Sequence, residues 1–167
     1  MSRFALLVAK IFNIKKKVQV IGVGGLILNK KGEILLTQRN EPSFPIWDGK
    51  WGFPGGHLEF GEEPKERLRK EIKEELGVEV EILKDNPFVT SGILDLGGLI
   101  YHGILLCYPC QITKGKLKIT NQENRDFKWF NPREIDFQNC LPFTDIFVKQ
   151  FLKELGTRRM KWQEVAP

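Results

Sequence analysis

Apolar residues recur along this chain with two different periods, and the switches between them lay out its elements. Phe4, Leu7, Val8, Ile11 and Phe12 fall at i, i+3, i+4, i+7 and i+8, the stripe of an amphipathic helix whose other side and end carry lysines. Residues 18–29 are rich in β-formers, and Lys30-Lys31-Gly32 turns them into residues 33–39, which predicts a hairpin. Residues 40–50 hold two prolines and a glycine and read as a loop; residues 51–56 read as a short extended piece ending in a glycine turn. The clearest helix is predicted over residues 64–76, with Pro64 at its start and Gly77 just past its end. Strands are predicted near residues 78–83, 88–94, 98–112, 117–119 and 127–130. Asn131-Pro132 is expected to cap a helical turn, and a second long helix spans residues 144–155. Strands alternating with two helices indicate a single domain of the α/β or α+β class, and no internal repeat interrupts it.

Composition adds limits. A chain of 167 residues, 41% hydrophobic and 28% charged, matches one ordinary globular domain with a sizeable core. No apolar stretch approaches the length of a membrane-spanning helix. The net charge of +5 is already contained in Arg3, Lys10, Lys15, Lys16 and Lys17, and the rest of the chain balances. The domain body therefore lacks the basic excess of a nucleic-acid-binding module, and any contact with nucleic acid or an anionic membrane falls to this N-terminal arm. The organisation expected is an arm over residues 1–17, a domain over 18–155 and a tail over 156–167. The arm's apolar stripe would suit a homodimer contact. Cys107, Cys110 and Cys140 make an odd count without a secretory signal, so a reduced, cytoplasmic setting is expected and Cys107-Tyr-Pro-Cys110 is read as ordinary thiols in a strand.

The chemistry concentrates in the helix over residues 64–76. At 100° per residue, Glu71, Glu74 and Glu75 share one edge of it, beside an apolar stripe of Leu68, Ile72 and Leu76. Three like charges so close repel, and a divalent cation with a preference for oxygen ligands, Mg²⁺ or Mn²⁺, would neutralise them. The competing reading is a solvated, salt-bridged face, because Glu63–Arg67, Glu66–Lys70, Arg67–Glu71 and Lys70–Glu74 are all i,i+4 pairs. Pro54-Gly55-Gly56 ahead of the helix favours the cation, since glycines let backbone approach a metal or phosphate closely.

Read together, Gly56, five residues, Glu62, seven residues, Lys70-Glu71-Ile72, one residue, Glu74-Glu75, one residue and Gly77-Val78 resemble the Nudix box, with eight of nine specified positions matching. The flanks 35–39 and 127–132 also look like segments of Nudix hydrolases, so the resemblance covers roughly residues 18–155. It implies an α/β/α sandwich around a mixed sheet and metal-dependent hydrolysis of a nucleoside diphosphate linked to another group. Glu71, Glu74 and Glu75 would be the metal-binding carboxylates, with the Gly55 and Gly56 backbone beside them and Glu62 in support. Glu74, Glu75 or Glu123 would take the water's proton, Glu123 binding metal as well, and Arg39 would meet a phosphate. Lys70 departs from the box, which has an arginine there; lysine keeps the charge without the planar fork.

The segment 54–62 looks most like the nucleoside triphosphate diphosphatases, including those acting on oxidised or non-standard nucleotides, with monophosphate and pyrophosphate as products. Phe44, Trp47, Trp51 and Phe143 are candidates to stack on a base. A nucleotide-sugar hydrolase is the alternative substrate class, and a catalytically silent nucleotide-binding sensor the alternative of another kind. His57 and His102 are read as structural or substrate-edge residues.

Overall fold

A computed structural model describes residues 15–96 and 98–157. The arm's amphipathic stripe lies outside them, and so does most of the tail. The described chain contains β1 (Lys16–Leu28), β2 (Ile34–Arg39), β3 (Trp51–Gly52), β4 (Gly55–His57), α1 (Pro64–Leu76), β5 (Glu79–Ile82), β6 (Phe88–Asp95), β7 (Leu99–Lys114), β8 (Asn124–Phe130) and α2 (Thr144–Thr157). All eight strands join one mixed sheet along the path β3-β2-β1-β7-β5, with β4 beside β1, β6 beside β7 and β8 beside β2. The β1–β2 hairpin forms as expected, Ile27 facing Leu35. The longest pairing has no local signal: β1 runs parallel to β7 from Lys16↔Leu99 to Leu28↔Gln111.

Alternation along β1 divides the core between the two faces of the sheet. Val23 and Ile27 point to one side, where Leu68, Ile72 and Leu76 of α1 are fully buried with Leu35, Val78 and Cys110. Leu26 and Leu28 point to the other, where Phe147, Val148 and Phe151 of α2 join Ile34, Leu36 and Cys107. A sheet between two helix layers results, the α/β/α sandwich expected from the sequence. The seat of α1 is close: a Cβ on Gly25 would come within 2.8 Å of Ile72 Cδ1. Truncating Ile72 to alanine would remove about 2–5 kcal/mol of packing from the helix that carries the glutamates.

Both ends of α1 are capped. Glu63 accepts from the Glu66 amide at 2.9 Å, Pro64 opens the helix, and Gly77 closes it at φ 70° by donating to the Lys73 carbonyl at 3.0 Å. Residues 117–119, predicted as a strand, are irregular. Their backbone serves the helix instead: the Lys118 amide donates to the Leu76 carbonyl and the Thr120 amide to the Glu75 carbonyl. Those orphan carbonyls at the helix end outcompete a ladder partner, while Leu117 and Ile119 still pack into the α1-side core. Asn131-Pro132 forms a hydrogen-bonded turn, the Glu134 amide donating to the Asn131 carbonyl, and α2 runs to Thr157.

Candidate active site

The glutamates of α1 meet the sheet at β4. Gly55 has φ 146°, and a Cβ there would lie 2.1 Å from the Val23 carbonyl oxygen, so no side chain fits. Its amide is thereby aimed at α1 and donates to Glu75 Oε2 at 3.0 Å. At Gly56 a Cβ would sit 2.6 Å from the carboxyl carbon of Glu71. The glycine pair thus brings main chain against two carboxylates that lie one turn apart.

Glu75 is 2% exposed, and its second oxygen accepts from Asn124 Nδ2 at 3.0 Å. Burial pushes its carboxyl up to about 7; the hydrogen bonds from Asn124 and Gly55 pull it back, and Glu71 and Glu123 raise it further. Burial likewise raises Glu71, chiefly against the pull of Arg67. Arg67 forms ion pairs with both Glu71 and Glu62, the latter at 3.3 Å. Glu74 is exposed, with its carbonyl accepting from Thr120 Oγ1 at 2.5 Å. Glu123 stands on the loop ahead of β8, largely exposed, its Oε2 4.0 Å from Arg39 Nη1. Among the described residues no three His, Cys, Asp or Glu side chains form a ready-made metal cluster. The donors nonetheless suit a hard cation: two desolvated carboxylates with raised proton affinity, a third at the surface, and main chain admitted by glycines.

A cleft of about 190 Å³ is lined by the same Gly55 and Gly56 backbone, His57, Arg39, Tyr101, Leu105, Leu141 and Pro142. It continues into a second hollow of about 160 Å³, where Trp47, Leu94 and Phe143 join the lining. Trp47 meets the edge of Tyr101 at 6.0 Å between centroids. Phe143 adopts φ 72°, and its ring lies where a Cβ on Gly92 would approach within 2.4 Å.

Of the four aromatic candidates, Trp47 and Phe143 line this hollow. Phe44 packs on Trp47 at 4.8 Å and lines a different hollow with Pro45 and Asp95. Trp51 turns into the α2-side core, edge-on to Phe130 at 5.1 Å, because its strand pairs with β2 and its alternation points that way. Lys70 is exposed and makes no ion pair among the described residues. Sequence reasoning missed Asn124, Tyr101 and the bridging task of Arg67. Arg67 left a trace, since it stands four residues before Glu71; Asn124 and Tyr101 had none. Cys107 and Cys110 are both buried and free, and they face opposite sides of the sheet.

Comparison with known proteins shows the family and the fold. Residues 18–151 match the NUDIX domain family. Nucleoside triphosphatase NudI of Escherichia coli O139:H28 is 31% identical over 98 residues, covering 54% of this chain and 67% of its own. The crystal structure of MutT NUDIX hydrolase from Burkholderia pseudomallei superposes with a TM-score of 0.66 at 25% identity, covering 80% of this chain and 98% of that one. A UDP-X diphosphatase structure shares the fold, at a TM-score of 0.58 and 21% identity over 92% of this chain and 72% of its own. With residues 18–151 accounted for by one family, this chain belongs to the Nudix hydrolases, enzymes that act on pyrophosphate bonds.

Proposed function

We propose that this chain hydrolyses a nucleoside triphosphate, standard or chemically altered, to the monophosphate and pyrophosphate. The observation that carries the reading is the buried Glu75, tied to the Gly55 amide and Asn124 beside Glu71, at the edge of a cleft walled by Trp47, Tyr101 and Phe143. The similarity to a nucleoside triphosphatase supports the substrate class.

Nudix hydrolases generally use divalent ions. Here Glu71, Glu74 and Glu75, with the Gly55 and Gly56 backbone, would hold Mg²⁺ or Mn²⁺. Such an ion, when bound, offsets phosphate charge and makes a coordinated water more acidic. The protein's own groups do the rest. Arg39 lines the cleft and presents a guanidinium to a phosphate. Trp47, Tyr101 and Phe143 offer apolar surface to the base. Glu123, exposed near Arg39, would take the proton of the attacking water. Gly55 and Asn124 hold Glu75 in one orientation throughout, and Glu62 acts through Arg67.

Formation of nucleoside monophosphate from a panel of nucleoside triphosphates, oxidised nucleotides and nucleotide sugars, with Mg²⁺ or Mn²⁺ and with the co-product identified as pyrophosphate or sugar phosphate, tests this. Turnover of triphosphates with pyrophosphate as product supports the reading. Turnover confined to nucleotide sugars moves the assignment to that class, and tight nucleotide binding without turnover of any compound would favour a sensor.

A further inference from the structure

The box specifies arginine at the position of Lys70, yet the planar fork of this site comes from elsewhere. Arg67 reaches Glu71 Oε1 through Nη2 and Glu62 Oε1 through Nη1, the latter at 3.3 Å. Residues four apart share a helix face, so residue 67 overlies Glu71, whereas residue 70 is turned about 100° away. The Arg67 side chain is only 17% exposed and that of Glu71 11%. Lys70 stands in solvent and acts on Glu71 only through space, behind Arg67 in strength.

Local rules disfavour an arginine here. It lies one turn from the positive end of the helix dipole, and a base four residues before an acid is the weaker order of that pair. Its Nε is buried with no hydrogen-bond partner, a further penalty. A residue kept at such a place is offset by what its fork joins. Glu71 is held between the Arg67 guanidinium on one side and the Gly56 main chain on the other, where even a methyl group would collide with it.

We propose that Arg67 is the positioning residue for Glu71, bridging it to Glu62. The inference rests on the proposed metal-dependent site, and its test separates the two. Mn²⁺ affinity is measured by electron paramagnetic resonance on the full chain and on Arg67→Gln, Arg67→Lys, Lys70→Gln and Arg67→Gln/Lys70→Arg, with thermal unfolding recorded for each. Arg67→Gln is expected to weaken Mn²⁺ binding about 10–100-fold, as for other groups that orient a metal-binding side chain. Arg67→Lys should recover little of it, because an ammonium cannot bridge both carboxylates in one plane. Lys70→Gln should lose far less than either. Arginine at position 70, turned about 100° from Glu71, should restore little of the loss in Arg67→Gln. Wild-type affinity in folded Arg67→Gln or Arg67→Lys, full rescue by Lys70→Arg, or equal damage from Lys70→Gln would each overturn the inference while leaving the metal site standing. No Mn²⁺ binding by the wild type would contradict the metal-site reading and take this inference with it.

Discussion

Asn124, the first residue of β8, donates its side-chain amide to Glu75 Oε1 at 3.0 Å, joining the helix to a strand that lies 49 residues further on. Both groups are buried, at 5% and 2% exposure, so neither has water as a substitute partner. Asn124→Ala should therefore lower kcat and Mn²⁺ affinity about 10–100-fold with a smaller effect on KM. Steady-state kinetics with Mn²⁺ titration checks this; unchanged kcat would show that Glu75 needs no such orientation.

The titration of Glu75 carries a sign. Its carboxyl is raised from 4.5 to about 7 by burial, so the folded chain holds the proton more tightly than the unfolded chain does. That contribution is complete below pH 4.5 and is lost as pH rises toward about 7. In chelator, the wild type should lose up to about 3 kcal/mol relative to Glu75→Gln across that interval. Urea unfolding of both proteins from pH 4.5 to 8 measures it. A difference that stays constant with pH would contradict the burial argument.

Gly55 and Gly32 both adopt positive φ but differ in surroundings. A Cβ on Gly55 meets the Val23 carbonyl at 2.1 Å, while one on Gly32 meets nothing within 4 Å. Gly32→Ala should cost about 1 kcal/mol of backbone strain, and Gly55→Ala several times that. Thermal unfolding of the pair separates conformational strain from collision; equal losses would mean that β4 relaxes freely.

Tyr101 and Trp51 separate cleft wall from core. Tyr101→Ala should raise KM for the nucleotide about 5–100-fold with little change in folding, since aromatic stacking on a base contributes about 1–3 kcal/mol. Trp51→Ala should instead lower the melting temperature, because the ring packs on Phe130 in the α2-side core. The reverse pattern would relocate the base subsite.

Native thiols should react slowly. Burial pushes Cys110 up to about 12 and Cys140 up to about 11, and Cys107 is raised as well. A colorimetric thiol assay should titrate three thiols in denaturant and show only slow reaction, at the partly exposed Cys140, in the native protein.

Helix α1 was legible because its signals are local: Pro64, Gly77, the stripe of Leu68, Ile72 and Leu76, and three glutamates on one edge. The two glycines were legible as a turn, though not as the wall against which Glu71 and Glu75 rest. Asn124 and Tyr101 were silent because their partners lie far away in sequence, and the β1–β7 ladder that sets those distances leaves no mark on either strand alone. Leu117 and Ile119 misled for the same reason. Their alternation is that of a strand, while their backbone is committed to the carbonyls at the end of α1. Lys70 stands out as the departure from the box, whereas the planar fork on Glu71 sits three residues earlier, on the face that meets it.

Whether the buried glutamates of α1 carry a metal-dependent cleavage of triphosphates is decided by pyrophosphate release by the wild type and by Glu75→Gln under saturating Mg²⁺. The wild type should turn over, and the variant should lose at least about 10³-fold in kcat with its fold intact. Glu75→Gln turning over within about tenfold of the wild type would contradict that role, since that loss is smaller than removal of one group central to charge stabilisation ordinarily causes.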